Sequence, residues 1–306
     1  MPWIEAGGLR FAVPEGRNVL DALNQAGLNV PFSCRAGSCQ ACLVRCTEGE
    51  VMQMQRLNAE SEQQGWRLAC QCQVTGDARF ALYDPKTDAL QAEVVACDKL
   101  SAAVLRLRLR PERPLRYAPG QSTVLWLKGV ARAYSIASCA EAPWLEFHIS
   151  CAHRGAFADL LRTLKVGDTL AVAAPHAGGL YYDPAWQPIP LYLLAQGTGL
   201  APLWGLLQQA LKLEHQGPIE LWHFAKADEH YLKPQLDALA ARHPNLYLRY
   251  LSCATIERDL AGLRLASRQA HALLCGNTIS LEFMAKRLYL AGLPRSHLHT
   301  EQFFSG

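Results

Sequence analysis

The sequence predicts a multidomain protein of α+β and α/β class. At 306 residues the chain is longer than one small core supports, and it fits two or three domains. From residue 94 to about 180 it contains short apolar runs of period two, which is the pattern of antiparallel strands. After "YYDPAWQPIP", apolar strands alternate with helical stretches, as is typical of a parallel sheet.

The composition excludes several classes of function. Half of the residues are apolar and 19% are charged, which is ordinary for a soluble globular protein. The net charge is only +3 and no run of Lys and Arg forms a basic stripe, so we expect no nucleic-acid partner. The opening "MPWIEAGGLRFAV" lacks the apolar core of a signal peptide, and the most hydrophobic stretch is interrupted by Gly197, Gly199 and Pro202. We therefore expect no membrane span and a cytoplasmic location.

Changes in the pattern of apolar and polar residues set the predicted domain boundaries. The first domain covers residues 1–84 and contains one helical stretch, "NVLDALNQAGL", which Gly27 ends. Residues 85–92, within the polar segment "LYDPKTDALQAE", form the predicted linker. The β domain then covers residues 93–185, and the α/β domain covers residues 186–306.

The segment "VLRLRLR" gives the clearest strand of the β domain. It places Leu107 and Leu109 on one face and Arg106, Arg108 and Arg110 on the other. A strand with one apolar and one solvated face is typical of a barrel or a sandwich.

Cysteines in the first quarter of the chain have the spacing of metal ligands. Cys34, Cys39 and Cys42 follow the pattern Cys-x4-Cys-x2-Cys, which plant-type [2Fe–2S] proteins complete with a distant fourth cysteine. Gly37 allows the backbone to approach a cluster closely, and amides directed at sulfur stabilise its reduced form. We predict that the fourth ligand is Cys70, in "WRLACQC".

Two alternatives to this ligand set remain open. Cys72 is the second candidate for the fourth ligand, ahead of Cys46, which lies where the chain leaves the loop as a strand. The other alternative is structural zinc, with two short-spaced pairs of ligands in Cys39, Cys42, Cys70 and Cys72.

The sequence "CRAGSCQAC" followed by "LACQ" resembles plant-type ferredoxins over residues 1 to about 82. The resemblance implies a β-grasp fold and a [2Fe–2S] cluster held by Cys34, Cys39, Cys42 and Cys70.

The segment "RAYSIAS" resembles the R-x-Y-S motif of the ferredoxin–NADP reductase superfamily, whose flavin domain is a six-stranded antiparallel barrel. The resemblance implies that Arg132 binds the FAD pyrophosphate, that Tyr134 stacks on the isoalloxazine ring, and that Ser135 lies near its N5, with Ala133 between them. A planar cation, an aromatic face and a small hydroxyl suit these tasks.

The segment "FHISCAHRGAFADLL" fits the strand and loop on the phosphate side of the same flavin site. By this resemblance, His148, Ile149 and Ser150 line the flavin through their backbone, and Gly155 and Ala156 line the pyrophosphate. Ala158 stands where the family often has Ser or Thr. FMN is therefore kept as an alternative to FAD.

The segment "LYLLAQGTGLAPLWGLL" predicts a strand, a Gly-rich turn and a helix. Gly197 and Gly199 permit a tight turn, Pro202 suits the first helical turn, and the helix N-terminus presents amides to a phosphate. Together with Thr198, the turn resembles the G-T-G-x-A-P motif of the same superfamily, which implies a nicotinamide-binding α/β domain.

Two further segments resemble motifs of that domain. "HALLCGN" is similar to the C-G motif near the nicotinamide C4 and gives Cys275 and Gly276, although Asn277-Thr278 replaces the usual Pro-Pro. "HTEQFF" is similar to the E-x-F ending, which gives Glu301 and Phe303, with Phe304 as the alternative aromatic residue. The predicted catalytic residues are Ser135, Cys275 and Glu301.

The choice between NADH and NADPH rests on the segment "FAKADEH". A basic residue after the second strand favours the 2′-phosphate of NADPH, and an acidic residue disfavours it. The segment offers Lys226 on one side, and Asp228 and Glu229 on the other. We expect NADH, with NADPH as the alternative.

The order of the three regions resembles the electron-transfer reductases of bacterial multicomponent oxygenases, such as benzoate dioxygenase reductase and phenol hydroxylase reductase. The resemblance implies that hydride passes from NADH to FAD, and that single electrons pass through a [2Fe–2S] cluster to a terminal oxygenase or another electron-accepting protein. Two alternatives are a direct reductase of flavins, quinones or other small acceptors, and a redox-sensing subunit without turnover. Residues 1–84 carry a net charge of −2, and the remainder of the chain carries +5. Because these opposite charges are small, they favour docking between the two regions only weakly.

Overall fold

The computed structural model describes residues 1–152, 154–226 and 229–303. They form three sheets, which occur in the order expected from the sequence. The predicted α+β and α/β fold class, with an antiparallel six-stranded barrel and a parallel α/β region, is confirmed.

The first sheet has five strands in the order β2-β1-β5-β3-β4, with β1 parallel to β5. Its elements are β1 (Trp3–Ala6), β2 (Leu9–Ala12), α1 (Val19–Gln25), β3 (Leu43–Gln53), α2 (Ala59–Gln63), β4 (Trp66–Leu68) and β5 (Cys72–Leu82). Helix α1 buries Val19, Leu20 and Leu23 in the core of this sheet. Cys46 lies on β3, as the sequence predicts.

The second sheet has six strands in the order β10-β7-β6-β11-β8-β9. Its elements are β6 (Leu90–Lys99), β7 (Val104–Pro111), β8 (Ser122–Leu127), β9 (Val130–Ser135), β10 (Leu145–Ser150), α3 (Ala156–Leu161) and β11 (Thr169–Val172). Leu107 and Leu109 of β7 are fully buried. Arg106 and Arg108, on its other face, pair with carboxylates of neighbouring strands, as the alternation predicts.

The third sheet is parallel, with the order β14-β13-β12-β15-β16. Its elements are β12 (Leu191–Gln196), α4 (Leu200–Lys212), β13 (Ile219–Ala225), α5 (Lys233–Ala240), β14 (Leu246–Ser252), α6 (Ile256–Ala261), β15 (His271–Gly276), α7 (Thr278–Leu290) and β16 (Leu298–Gln302). From β12 the chain adds strands first on one side and then, from β15, on the other. Ligands of open parallel sheets bind at such a switch point, beyond the carboxyl ends of the strands.

Within the chain, backbone contacts define two compact units. One unit comprises Met1–Gln91, Thr123–Ala133 and Leu170–Ala174, and the other comprises Ala92–Ser122, Tyr134–Thr169 and Pro175–Gly306. The second sheet therefore contributes strands to both units. Strand β6 begins at Leu90, within the segment 85–92 that the sequence predicts as the linker.

In the described parts of the chain, every helix is too short or too polar to cross a membrane.

Candidate functional site

Four cysteine side chains meet at the edge of the first sheet as two hydrogen-bonded pairs. Cys34, Cys39 and Cys42 lie in the loop between α1 and β3, and Cys70 lies in the short turn between β4 and β5. The thiol of Cys39 donates to Cys34, and the thiol of Cys42 donates to Cys70. The sulfur of Cys34 also accepts from the backbone N–H groups of Ala36 (3.3 Å) and Cys39 (3.4 Å).

These contacts make one thiol of each pair acidic. The hydrogen bond from Cys39 lowers the pKa of Cys34 to about 4, and the bond from Cys42 lowers the pKa of Cys70 to about 7. Donating those bonds raises the pKa of Cys39 and of Cys42, and burial adds to the rise. Because thiolates are the form that binds metal, the donor set suits a metal centre.

Local backbone features hold this loop in place. Gly37 has φ +82°, and a Cβ there would lie 2.1 Å from Gln55 Oε1. Its N–H is directed at the sulfur of Cys70. Gln71 Nε2 donates to the carbonyl of Arg35 (2.8 Å), which ties the loop to the turn beside Cys70. Asn18, the N-cap of α1, donates from Nδ2 to the carbonyl of Cys70 (2.9 Å).

The alternative cysteines lie elsewhere. Cys72 is fully buried in the core of the first sheet, and burial raises its pKa to about 12. Cys46 donates to the carbonyls of Glu48 and Gly49 within β3. Among the described residues, no three His, Cys, Asp or Glu side chains converge closely enough to bind one metal ion. Two separate thiol pairs instead suit a binuclear cluster, in which each iron takes two cysteine sulfurs.

The cysteine loop packs against two strands of the second sheet within the first compact unit. Cys39 and Ala41 pack with Ala131 and Ala133 of β9 in one apolar cluster, which also includes Val124, Trp126 and Ala173. Tyr83 stacks on Trp126 of β8, with ring centroids 5.4 Å apart and planes 8° apart. The thiol loop therefore lies on the strand that carries the "RAYS" motif.

Strand β9 presents the residues of that motif in a partly open surface. Arg132, Ala133 and Tyr134 are half-buried, and Arg132 Nη1 donates to its neighbour's carbonyl, that of Ala131 (2.9 Å). The Tyr134 ring lies 5.3 Å from the ring of Phe157 on α3.

The other predicted flavin residues lie on α3 and β10. Gly155 is the N-cap of α3, and Ala156 and Ala158 lie in its first turn. Tyr134 therefore meets the helix that these residues begin. His148 and Ile149 of β10 are buried, whereas Ser150 is exposed.

Two buried hydroxyl groups converge on one oxygen of the Glu301 carboxyl in the second compact unit. The hydroxyl of Ser135 donates to Glu301 Oε1 (2.6 Å), and the hydroxyl of Ser122 donates to the same oxygen (3.0 Å). The other oxygen, Oε2, is buried without a hydrogen-bond partner among the described residues. Burial raises the pKa of Glu301, although the two hydroxyls oppose the rise.

Cys275 lies beside this carboxyl on the neighbouring strand. In the parallel pairing of β15 with β16, Cys275 is opposite Glu301. The thiol is fully buried, and burial together with the Glu301 carboxyl raises its pKa well above the ordinary value. The backbone N–H of Phe303 donates to the carbonyl of Gly276 (2.8 Å), and the Phe303 ring packs on the core of the parallel sheet.

The Gly-rich turn and the Cys-Gly loop touch across the switch point. A Cβ at Gly199 would lie 2.3 Å from the carbonyl oxygen of Cys275, so only glycine permits this approach. Gln196 joins the two loops, because its Oε1 accepts from the N–H of Asn277 (3.1 Å). The carbonyl of Gly197 accepts from His223 Nε2 (3.0 Å). Thr198 lies between the two glycines, in the turn that leads into α4.

The segment "FAKADEH", on which the choice between NADH and NADPH rests, is only partly among the described residues. Lys226 is exposed and Glu229 is half-buried, while Asp228 lies outside the described residues, as does Phe304. A cavity of about 710 Å³, lined by residues 253–258, opens after β14 on the same carboxyl edge of the sheet.

The sequence motifs did not identify three residues of the candidate site, which are Ser122, Gln196 and His223. Ser122 lies in the segment "YAPGQSTVLWL", but nothing in that segment pairs it with a residue 179 positions away. Gln196 and His223 also act through contacts that only the parallel sheet creates.

Three family models match the chain in the order of its sheets. A 2Fe-2S iron-sulfur cluster binding domain matches residues 4–75, an oxidoreductase FAD-binding domain matches residues 91–181, and an oxidoreductase NAD-binding domain matches residues 193–287. Fold and sites therefore define an NAD(P)H-dependent oxidoreductase whose cofactors are a [2Fe–2S] cluster and FAD.

Comparison with curated proteins narrows this class. The ferredoxin–NAD(+) reductase component of the alkene monooxygenase system of Xanthobacter autotrophicus is 32% identical over 93% of this chain and 90% of its own length. The ferredoxin–NAD(P)(+) reductase component of the naphthalene 1,2-dioxygenase system of Pseudomonas putida is 27% identical over 95% of this chain and 94% of its own. The chain belongs to this family of ferredoxin–NAD(P)(+) reductase components, as the sequence motifs predicted.

A solved structure shares the fold across the whole chain. The cytochrome P450 reductase GcoB of Amycolatopsis is 24% identical, with a TM-score of 0.65 over 99% of both chains.

Proposed function

We propose that the chain takes hydride from NADH and delivers single electrons to a terminal oxygenase or another electron-accepting protein. When bound, FAD accepts two electrons from the nicotinamide and releases them singly to the [2Fe–2S] cluster. The observation that carries the proposal is the packing of Cys39 and Ala41 against Ala131 and Ala133, next to the "RAYS" residues. Within the first compact unit, this contact places the cysteine loop beside Arg132 and Ala133, the first residues of the proposed flavin motif.

The residues of β9 are proposed to hold the flavin. Arg132 supplies a planar cation for the pyrophosphate, and among the described residues its guanidinium donates to the carbonyl of Ala131. Tyr134 offers an aromatic face beside α3, and the segment from His148 to Ser150 supplies backbone groups. Gly155 and Ala156 are proposed on the pyrophosphate side, where Ala158 supplies no hydroxyl.

The residues of the parallel sheet are proposed to hold the dinucleotide. Gly197, Thr198 and Gly199 turn the chain into α4, whose N-terminal amides attract a phosphate. Cys275 and Gly276 end the neighbouring strand on the other side of the switch point. Phe303 is anchored to Gly276 and closes the edge of the nicotinamide site.

Ser135, Cys275 and Glu301 are proposed to keep the hydride-transfer position dry and correctly protonated. Their neighbourhood excludes water, because Ser135 is 5% exposed and Cys275 is 0% exposed. The raised pKa of Glu301 favours its neutral form, so that the carboxyl holds a proton near the reacting ring. The unpaired Oε2 is the atom with hydrogen-bonding capacity left for a bound group.

The electron leaves through the exposed part of the cysteine loop in this proposal. Arg35, Ala36 and Ser38 are exposed, whereas Cys42 and Cys70 behind them are buried. We place the reaction in the cytoplasm, where a reduced nicotinamide pool is available. NADH is the proposed donor, because Lys226 and Arg258 at this carboxyl edge are balanced by Glu229 and Glu257, which disfavour a 2′-phosphate.

Two electron acceptors test this route. Ferricyanide takes electrons from a reduced flavin directly, whereas cytochrome c stands in for a protein acceptor that needs the cluster. We expect Cys70→Ser to abolish cytochrome c reduction and to retain NADH-driven ferricyanide reduction. Cys72→Ser is the matched control, and we expect it to keep both activities and the bound iron.

Other results would support the alternatives. Equal cytochrome c reduction by wild type and Cys70→Ser would indicate a direct small-acceptor reductase in which the cluster is not on the route. Absence of NADH turnover with both acceptors, in protein that contains flavin and iron, would indicate a redox-sensing subunit.

A further inference from the structure

The side chain of His148 does not follow its backbone toward the predicted flavin site. It lies inside the second compact unit with none of its side chain exposed. Its Nε2 is 2.9 Å from Glu146 Oε1, and its Nδ1 is 3.2 Å from the hydroxyl of Tyr231. Glu146 Oε2 in turn accepts from Arg108 Nε at 2.5 Å. A buried residue of β10 is thus bonded to the segment that follows β13.

Hydrogen-bond chemistry fixes the direction of each of these bonds. Arg108 holds Glu146 as a carboxylate, which accepts only, so the Nε2 of His148 carries the proton. Burial lowers the pKa of His148 and keeps the ring neutral, so its Nδ1 is an acceptor. The hydroxyl of Tyr231 is therefore the donor, and every polar atom of the pair is satisfied.

The residue before Tyr231 continues the connection to the Gly-rich turn. His230 Nδ1 lies 3.1 Å from His223 Nδ1, and His223 Nε2 lies 3.0 Å from the carbonyl oxygen of Gly197. A carbonyl accepts only, so His223 donates from Nε2 and accepts at Nδ1. In a trans peptide the C=O and N–H groups point in opposite directions. The bond from His223 therefore aims the N–H of Thr198 away from the sheet, toward the phosphate side.

We propose that His148 and Tyr231 are a positioning pair that couples the flavin-lining strand β10 to the dinucleotide turn. The inference rests on the proposed function, since the two regions matter together only if both cofactors react. Binding of nucleotide at Gly197–Gly199 is transmitted through His223, His230 and Tyr231 to His148. The pair sets the alignment of β10, and it does not itself touch the reacting atoms.

The chain contains a matched control for this pair. The hydroxyl of Tyr182 lies 3.0 Å from His215 Nδ1, and the two rings meet edge to face at 5.9 Å, compared with 5.4 Å for Tyr231 and His148. All four residues are buried. Tyr182 and His215 lie neither on β10 nor in the turn, so their bond contributes to stability alone.

The test compares Tyr231→Phe with Tyr182→Phe by hydrogen exchange and by rapid kinetics. We expect NAD⁺ to slow amide exchange in Leu145–Ser150 in wild type and in Tyr182→Phe, but not in Tyr231→Phe. We also expect Tyr231→Phe to lower the limiting rate of flavin reduction by about tenfold, with NAD⁺ affinity unchanged within about twofold, because misalignment affects hydride transfer and not binding. His148→Gln, whose amide both accepts and donates, should retain the exchange response to NAD⁺.

The possible outcomes separate the two proposals. If both phenylalanine variants respond to NAD⁺ like wild type, the coupling is wrong, whatever the enzyme's turnover. If NADH does not reduce the flavin of wild type but NAD⁺ still protects β10 only when Tyr231 is present, the proposed function fails and the coupling stands. If Tyr231→Phe does not fold, His148→Leu removes the same bond from the other side, and an unchanged response to NAD⁺ in that variant overturns the inference.

Discussion

The cysteine loop and the Glu301 pocket, formed by Ser122, Ser135, Cys275 and Glu301, are two candidate sites with opposite relations to solvent. The loop exposes Arg35, Ala36 and Ser38, while Cys34 and Cys39 are half-buried. The pocket encloses Ser135 and Cys275, together with a Glu301 carboxyl that burial forces toward its neutral form. An electron can leave through a thin layer of protein, but a hydride needs a position from which water is excluded. The difference matches the two halves of the proposed reaction.

The two sites also shift acid–base equilibria in opposite directions. In the loop, hydrogen bonds lower the pKa of Cys34 and of Cys70, which prepares thiolates for metal. In the pocket, burial raises the pKa of Glu301 and of Cys275, which favours the neutral form of each group. Cysteine therefore has two different proposed roles, as a metal ligand in the loop and as a buried thiol beside Glu301.

Replacing the carboxyl of the pocket should have the larger effect. We expect Glu301→Ala to slow flavin reduction by NADH on the order of 10²-fold, the usual size for a group that holds or moves a proton at the reacting centre. The cluster spectrum should be unchanged, because the cysteine loop does not depend on Glu301. The exposed Glu282→Ala on α7 is the control. A loss of cluster in Glu301→Ala, or an equal loss of rate in both variants, would refute the division of tasks.

A smaller effect on stability should depend on pH. The folded pKa of Glu301 is above its ordinary value of 4.5, so the folded state binds more protons than the unfolded state as pH rises above 4.5. The stability contributed by the neutral carboxyl is fully present below pH 4.5 and is lost as pH rises through the folded pKa.

Glu301→Gln lacks this titration and keeps the shape of the side chain. Its free energy of unfolding should therefore increase relative to wild type as pH rises from 4.5 to 8. Urea unfolding of both proteins at several pH values measures the difference. A constant difference, or one that shrinks with pH, would show that the pocket does not favour the neutral carboxyl.

The sequence predicts local parts of these sites well. Cysteine spacing places Cys34, Cys39 and Cys42 in one loop, and alternation places β7 and its arginines. The Gly-rich turn between β12 and α4 follows from the requirements of a tight turn. These features depend on residues close together in the chain, where a pattern carries the physical reason for the structure.

Contacts between distant segments are not encoded in such patterns. Ser135 and Glu301 are 166 positions apart, and only the closing of β16 beside β15 brings them together. His148 illustrates the same limit. A motif predicted that its backbone lines the flavin, but its side-chain bond to Tyr231 is visible only in the folded structure. The packing of the cysteine loop against β8 and β9 is a further example, because no local signal pairs these side chains.

The most direct test of the account is to mix the purified protein anaerobically with NADH, and separately with NADPH, and to follow the visible spectrum. We predict that the flavin band bleaches first, that the cluster absorbance falls after it, and that NADH acts faster than NADPH. A flavin that bleaches while the cluster stays oxidised would contradict the proposed electron route.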